Sequence, residues 1–206
     1  MLVTDLVPAQ DKESRHLMIV LHGLGDSMEG YRWLPPALHL SWMSYLLVNA
    51  PDSYYSGFSW FDLYSDSDVG IKRSRELLFK LLEDTEAKGF SPRQTTLFGF
   101  SQGCLMCWEL GMRYPKVFAG IVGISGWPHQ PEKLLAEQSP VARQQRFLIT
   151  HGPHDPLVPF DKVKPVVQSL QQSGLNIDWR EFPKGHTIAG EAEIDVIRDF
   201  VKAGKL

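Results

Sequence analysis

Thr95-Thr96-Leu97-Phe98-Gly99-Phe100-Ser101-Gln102-Gly103 is the stretch that decides how this chain is read. Its first half is a short apolar run of strand character, and residues 104–114 beyond it have a helical pattern. Between the two, Gly99, Ser101 and Gly103 stand at G-x-S-x-G spacing. A serine on so sharp a strand-to-helix turn needs neighbours without bulk two positions to either side, so that its hydroxyl stands clear. The bare pattern arises by chance in roughly one sequence in ten of this length, so its weight comes from the strand before it and the helix after it. The bland alternative is a glycine-bracketed turn with no chemistry.

Working outward, short β-branched runs alternate with longer segments of helical period. Strands are expected at 17–21, 45–49, 95–99, 119–124, 147–150 and 177–182, with 3–7 as an edge strand. Several are nearly continuous apolar runs, as expected of strands covered on both faces of a parallel sheet. Helices are expected at 68–87, carrying Ile71, Leu78 and Leu82 on one face; at 161–172, carrying Val163, Val167 and Leu170; and at 189–202, carrying Ile194, Ile197 and Val201. Pro165 is placed in the first turn of the second, where a missing N–H costs least. Lys72, Arg73 and Arg75 read as the solvated face of the first. The pattern predicts an α/β fold: a mostly parallel, doubly wound sheet of six to seven strands with helices on both faces. Active sites of such folds lie beyond the carboxyl ends of the strands.

A serine hydroxyl attacks poorly until an imidazole accepts its proton, and a carboxylate must hold that imidazole in the right tautomer. With this turn the chain order is serine, acid, histidine. Of His129, His151, His154 and His186, only His186 follows a strand and precedes a final helix. Asp155, just after the strand at 147–150, is the favoured acid; its rival Asp161 stands where a helix N-cap is expected. His151 and His154 read as loop residues near the acid rather than as metal ligands. The developing oxyanion needs fixed N–H donors. The backbone N–H groups of Gln102 and of Leu24, in His22-Gly23-Leu24-Gly25-Asp26, are the candidates, with Asp26 capping a helix beyond.

The 206 residues suit a single domain spanning 1–206. Apolar residues make up 43% and charged residues 22%, ordinary for a globular protein. Twenty-one basic and twenty-four acidic residues leave a net charge of −3, and no basic run marks a nucleic-acid surface. No apolar stretch approaches the roughly 20 residues of a membrane span. The first eleven residues lack the basic start and apolar run of a secretory leader. Two cysteines, Cys104 and Cys107, make no disulfide framework and read as core, so a cytoplasmic protein is expected.

Together, Leu21-His22-Gly23-Leu24-Gly25-Asp26, Ser59-Trp60-Phe61-Asp62, Gly99-Phe100-Ser101-Gln102-Gly103, Ser125-Gly126-Trp127, Asp155-Pro156-Leu157-Val158-Pro159 and Gly185-His186 resemble the acyl-protein thioesterase, lysophospholipase and carboxylesterase branch of the α/β-hydrolases. The resemblance implies the α/β-hydrolase fold and hydrolysis of carboxylic esters or thioesters without metal or cofactor, by Ser101, Asp155 and His186 with the Leu24 and Gln102 donors. It places Trp60, Phe61, Trp127, Leu157 and Val158 near the acyl pocket. The implied substrate is a small-molecule or lipid acyl ester or thioester, an acylated protein included, and a homodimer is compatible with it. Two features depart from the family pattern, the aromatic stretch Ser53-Tyr54-Tyr55-Ser56-Gly57-Phe58 and the segment Trp127-Pro128-His129-Gln130. The alternatives are a lysophospholipase for longer acyl chains and a non-catalytic binding protein, which would have no need of every one of these groups.

Overall fold

The computed structural model describes residues 1–205. In chain order the elements are β1 (Thr4–Val7), β2 (His16–Leu21), α1 (Leu34–Leu38), β3 (Met43–Val48), β4 (Asp52–Tyr54), β5 (Gly57–Ser59), α2 (Ser67–Ala87), β6 (Thr95–Phe100), α3 (Gln102–Arg113), β7 (Gly120–Ile124), α4 (Pro131–Ala136), β8 (Arg146–His151), α5 (Phe160–Gln172), β9 (Asn176–Glu181) and α6 (Glu191–Ala203). Seven strands form one sheet in the order β1-β3-β2-β6-β7-β8-β9, while β4 and β5 make a separate hairpin. Every pairing in the large sheet is parallel except that of β1 with β3.

Period-two alternation along the strands decides the layers. On β2, Leu17, Ile19 and Leu21 enter one core and Met18 and Val20 the other. The first core takes the apolar faces of α2, α3 and α5 through residues such as Leu78, Leu105 and Val167. The second takes α1 and α6 through Leu38, Ile197 and Val201. Truncating a fully buried leucine in either layer to alanine costs about 2–5 kcal/mol, so both layers are needed. The strand order reverses direction between β2 and β6: β2 leads outward to β3, and the chain then returns to the other side of β2. The crevice beyond that reversal is where open α/β sheets bind ligands.

Several expectations are corrected. The strand expected at 45–49 begins two residues earlier, at Met43, and ends at Val48. Because α5 starts at Phe160, Pro165 lies inside the helix rather than in its first turn, and it leaves the Asp161 carbonyl without its intrahelical partner. Asp161 is not an N-cap; Pro159 holds that place and Asp161 sits within the first turn. Arg75 is not on the solvated face of α2: its guanidinium pairs with the buried Glu109 at 2.7 Å, and Arg113 pairs with the same carboxylate at 2.9 Å. The aromatic stretch 53–58 is the β4–β5 hairpin. Two further short helices, α1 and α4, were not foreseen; the prolines of α1 occupy its first turn, where N–H groups have no intrahelical partner.

Candidate active site

Ser101 alone makes the turn between β6 and α3, at φ 54° and ψ −115°. A non-glycine residue held in such a region carries on the order of 1–3 kcal/mol of strain. The turn is held by the Ser101 N–H donating to Ile124 O at 2.9 Å and by the Ser101 carbonyl accepting from the Leu105 N–H at 3.2 Å. The bracketing glycines are required by close approach of backbones. A Cβ on Gly99 would lie 2.2 Å from the Gly103 carbonyl oxygen, and one on Gly103 would lie 2.1 Å from that of Leu21.

The segments after β8 and β9 bring two further groups to this turn. His186 Nε2 lies 2.9 Å from Ser101 Oγ, and His186 Nδ1 lies 2.8 Å from Asp155 Oδ2. Asp155 Oδ1 accepts the N–H groups of Leu157 and Val158, both at 2.9 Å. Burial raises the Asp155 carboxyl, but the Val158 N–H, His186 and the Leu157 N–H outweigh it and hold the group below its ordinary value. An ionised carboxylate only accepts, so Nδ1 of His186 carries the proton and Nε2 faces the serine hydroxyl as acceptor. His151, at the end of β8, bonds the Val158 carbonyl through Nε2 at 2.9 Å and stands 3.6 Å from Asp155 Oδ2. Asp161 makes no such contact; the distances favour Asp155 as the partner of His186.

The loop after β2 lies across the crevice. The N–H groups of Gly25 and Asp26 are committed to Phe58 O and Gly23 O. His22, whose role the sequence did not suggest, is buried with both ring nitrogens engaged. Nδ1 lies 2.6 Å from the Gly23 carbonyl oxygen, and Nε2 accepts the Ala50 N–H at 3.1 Å. Burial pushes this imidazole below its ordinary value, against the opposing pull of the Gly23 carbonyl and Asp26, which fits a neutral ring. Gly23 C=O and Leu24 N–H belong to one planar trans peptide, so the ring that fixes the carbonyl also fixes the direction of the Leu24 N–H. The Gln102 N–H, at the first position of α3, has no intrahelical carbonyl to reach. Asp26 caps no helix; its Oδ1 accepts the N–H of the next residue, Ser27, at 2.7 Å.

A cavity of about 740 Å³ opens over Ser101 and His186, lined by Leu24, Leu63, Trp127, Leu157, Val158 and Val166 among others. That is the size of an ordinary small-ligand cleft, and it is mainly apolar. Trp60 and Phe61 do not line it themselves; Phe61 packs edge-on against Trp127, which does, with ring centroids 6.5 Å apart. Trp60 is fully buried behind the loop, where its Nε1–H donates to the His22 carbonyl at 2.9 Å. The Gln102 side chain explains their placement: its amide accepts the Trp60 N–H at 3.0 Å and donates to the Phe61 carbonyl at 2.9 Å. In the segment 127–130, Trp127 and Pro128 face the cavity while His129 and Gln130 turn to Asp68 of α2. Cys104 and Cys107 are free and buried in α3, and burial pushes the Cys104 thiol up to about 12. Among the described residues, no group of three or more His, Cys, Asp or Glu is placed to hold a metal ion, and no helix is long and apolar enough to cross a membrane.

The model of the phospholipase/carboxylesterase family matches residues 4–204. An acyl-protein thioesterase 1 of Schizosaccharomyces pombe is 34% identical over 155 residues, covering 69% of each chain. A carboxylesterase of Arabidopsis thaliana is 24% identical over 207 residues, covering 92% of this chain and 90% of its own. Among solved structures, esterase PE8 superposes with a TM-score of 0.87 at 28% identity, covering 98% of both chains.

Proposed function

The chain belongs to the phospholipase/carboxylesterase family, and from that premise we propose that it hydrolyses carboxylic esters or thioesters through an acyl-enzyme on Ser101. The observation that carries the reading is the continuous hydrogen-bonded line from Ser101 Oγ through the His186 ring to Asp155. In this reading Ser101 Oγ attacks the carbonyl carbon while His186 Nε2 takes its proton. The ionised Asp155 holds the ring in the required tautomer and stabilises the imidazolium. The Leu24 and Gln102 N–H groups receive the negative charge on the carbonyl oxygen, an effect worth about 10²–10³ in kcat per donor. Collapse expels the alcohol or thiol, which leaves with the proton from His186. Water then enters, gives a proton to His186 as it attacks the acyl-enzyme, and releases the acid and Ser101.

The apolar cavity supports an acyl group on the acid side of the substrate. The relatives' name points to acylated proteins, and the exposed Leu63, Tyr64 and Leu157 at the cavity suit lipid-like chains equally. One domain, residues 1–206, carries this chemistry. The test is Ser101→Ala assayed on aryl esters and thioesters of rising acyl length, beside labelling with a fluorophosphonate. We expect loss of about 10⁶-fold in kcat, as for other triad serines, and a single covalent adduct at Ser101 in the parent protein. A folded alanine variant keeping more than a tenth of the parent rate, or an adduct elsewhere, overturns the assignment.

A further inference from the structure

Lys184 stands two residues before His186, and Glu193 seven after it. Both side chains are buried, 2% and 0% exposed, with Lys184 Nζ 2.6 Å from Glu193 Oε1. The Thr150 hydroxyl, on β8, donates to that same oxygen. Glu193 Oε2 accepts the N–H of Ala189 at 2.5 Å. One carboxylate therefore joins three segments: the strand leading to Asp155, the residues before His186 and the residues after it. The Lys184 backbone is engaged as well. Its carbonyl accepts the His154 N–H at 3.2 Å, and a Cβ on Gly152 would lie 2.1 Å from that oxygen.

An ion pair is a poor way to stabilise a core, since apolar residues of similar volume in its place often leave a fold as stable or more so. Its value here is in geometry. The loop it closes holds Gly185 and Gly190, the latter at φ 67°, and so has little stiffness of its own. We propose that the Lys184–Glu193 pair is a positioning device that fixes the His186 ring between Ser101 and Asp155. The proposal rests on the reading of His186 as the base. Burial pushes the Lys184 ammonium below its ordinary value, while Glu193 and, further off, Asp155 and Cys104 pull it back up. Neither side chain reaches the cavity lining, so each acts only through the ring.

The test compares the parent with Lys184→Met and with Lys184→Met/Glu193→Gln. The double variant removes both charges at once and keeps an acceptor for Thr150, so no lone buried ion remains to unfold it. Three quantities are measured at a temperature where circular dichroism shows each protein folded: kcat, KM, and the second-order rate of fluorophosphonate addition to Ser101. A ring displaced by an ångström costs on the order of 10²-fold. We expect kcat and the labelling rate to fall together by about 10- to 100-fold, with KM within twofold of the parent. A purely structural pair would lower the melting temperature and leave kcat of the folded protein unchanged. Should either folded variant keep kcat and labelling within threefold of the parent, the positioning role is refuted. Should the parent itself fail to be labelled at Ser101, the reading of the base fails instead, which separates the two.

Discussion

The floor of the cavity and its rim are built in opposite ways. The floor consists of Gly23, just beyond β2, of Ser101 and Gln102 on the β6–α3 turn, whose bracketing glycines are imposed by backbone approach, and of His186, held in the loop between β9 and α6 by its bonds to Ser101 and Asp155. The rim consists of Leu63, Tyr64 and Leu157, which are 43%, 84% and 71% exposed and make their contacts from loops. The comparison teaches where each kind of specificity resides. Reaction type is set by positions the fold cannot release, whereas acyl preference is set by positions that can vary at little cost to folding. Three tests by substitution, taken from the largest expected effect to the smallest, show how sharp that division is.

Asp155→Asn strikes the floor without changing its shape. An amide presents N–H toward the ring and favours the wrong imidazole tautomer, a change worth about 10⁴ in kcat where the same geometry has been measured. Asp161→Asn, made in parallel, should leave the rate within twofold, and a reversed ranking moves the acid to Asp161. Stability carries a second signature. The Asp155 carboxyl in the folded protein lies below its ordinary value, so its contribution is fully present above the unfolded value of about 3.9 and is lost as pH falls through the folded value. The gap in melting temperature between parent and Asn variant should therefore close below about pH 4. A gap that widens on acidification contradicts the hydrogen-bonded, ionised carboxylate.

His22→Ala tests a residue that touches no substrate in the proposed mechanism yet aims one oxyanion donor. Without the ring the Gly23 carbonyl keeps only the longer 3.3 Å bond from the Asp26 N–H, which loosens the Gly23–Leu24 peptide. Loss of a single donor costs about 10²–10³ in kcat with binding largely retained. We expect kcat to fall about 10²-fold and KM to stay within threefold for short and long esters alike. A fall confined to long-chain esters would mean that the loop shapes the pocket instead, and would blur the line between floor and rim.

The same division explains how much could be read from the sequence. Six of the seven strands of the main sheet are legible to within a residue at each end; four of them, Leu17–Leu21 and its counterparts in β6, β7 and β8, are apolar runs of the kind a doubly covered strand accommodates, while β1 and β9 at the sheet edges are only partly buried. Ser101, Asp155 and His186 stood out for a related reason: each follows a strand, and the glycines beside Ser101 are imposed by backbone approach. His22 and the Gln102 side chain were missed because their partners are carbonyl and amide groups of the 23–61 region, which leave no mark on residue type. The β4–β5 hairpin was missed because its strands are three residues long and it pairs with the loop at Gly25 and Asp26 rather than with the sheet. Trp60 and Phe61 adjoin the pocket without lining it: Trp60 braces the donor loop from behind through the His22 carbonyl, and Phe61 backs Trp127.

Leu157→Ala and Leu63→Ala are the mildest of these tests and the most direct probe of the rim. Leu157 is mostly exposed and Leu63 nearly half exposed in the free protein, so truncation should change stability by no more than about 0.5 kcal/mol. Their effect appears only when a substrate covers them. If a long acyl chain buries part of either leucine, the lost apolar contact is worth on the order of 1 kcal/mol, about a fivefold change in binding. Because the chain touches the rim equally in ground and transition states, the loss should fall on KM and leave kcat unchanged. An acetyl ester offers the rim almost no chain to cover and should be hydrolysed as by the parent. The measurement is kcat and KM across esters from acetyl to dodecanoyl for both variants. A KM that climbs with chain length in the parent-to-variant ratio locates acyl selection on the rim. A uniform loss across all chain lengths, or a fall in kcat, would show that Leu157, two residues from Asp155, belongs to the floor and transmits its packing to the Asp155 carboxylate through the Leu157 N–H.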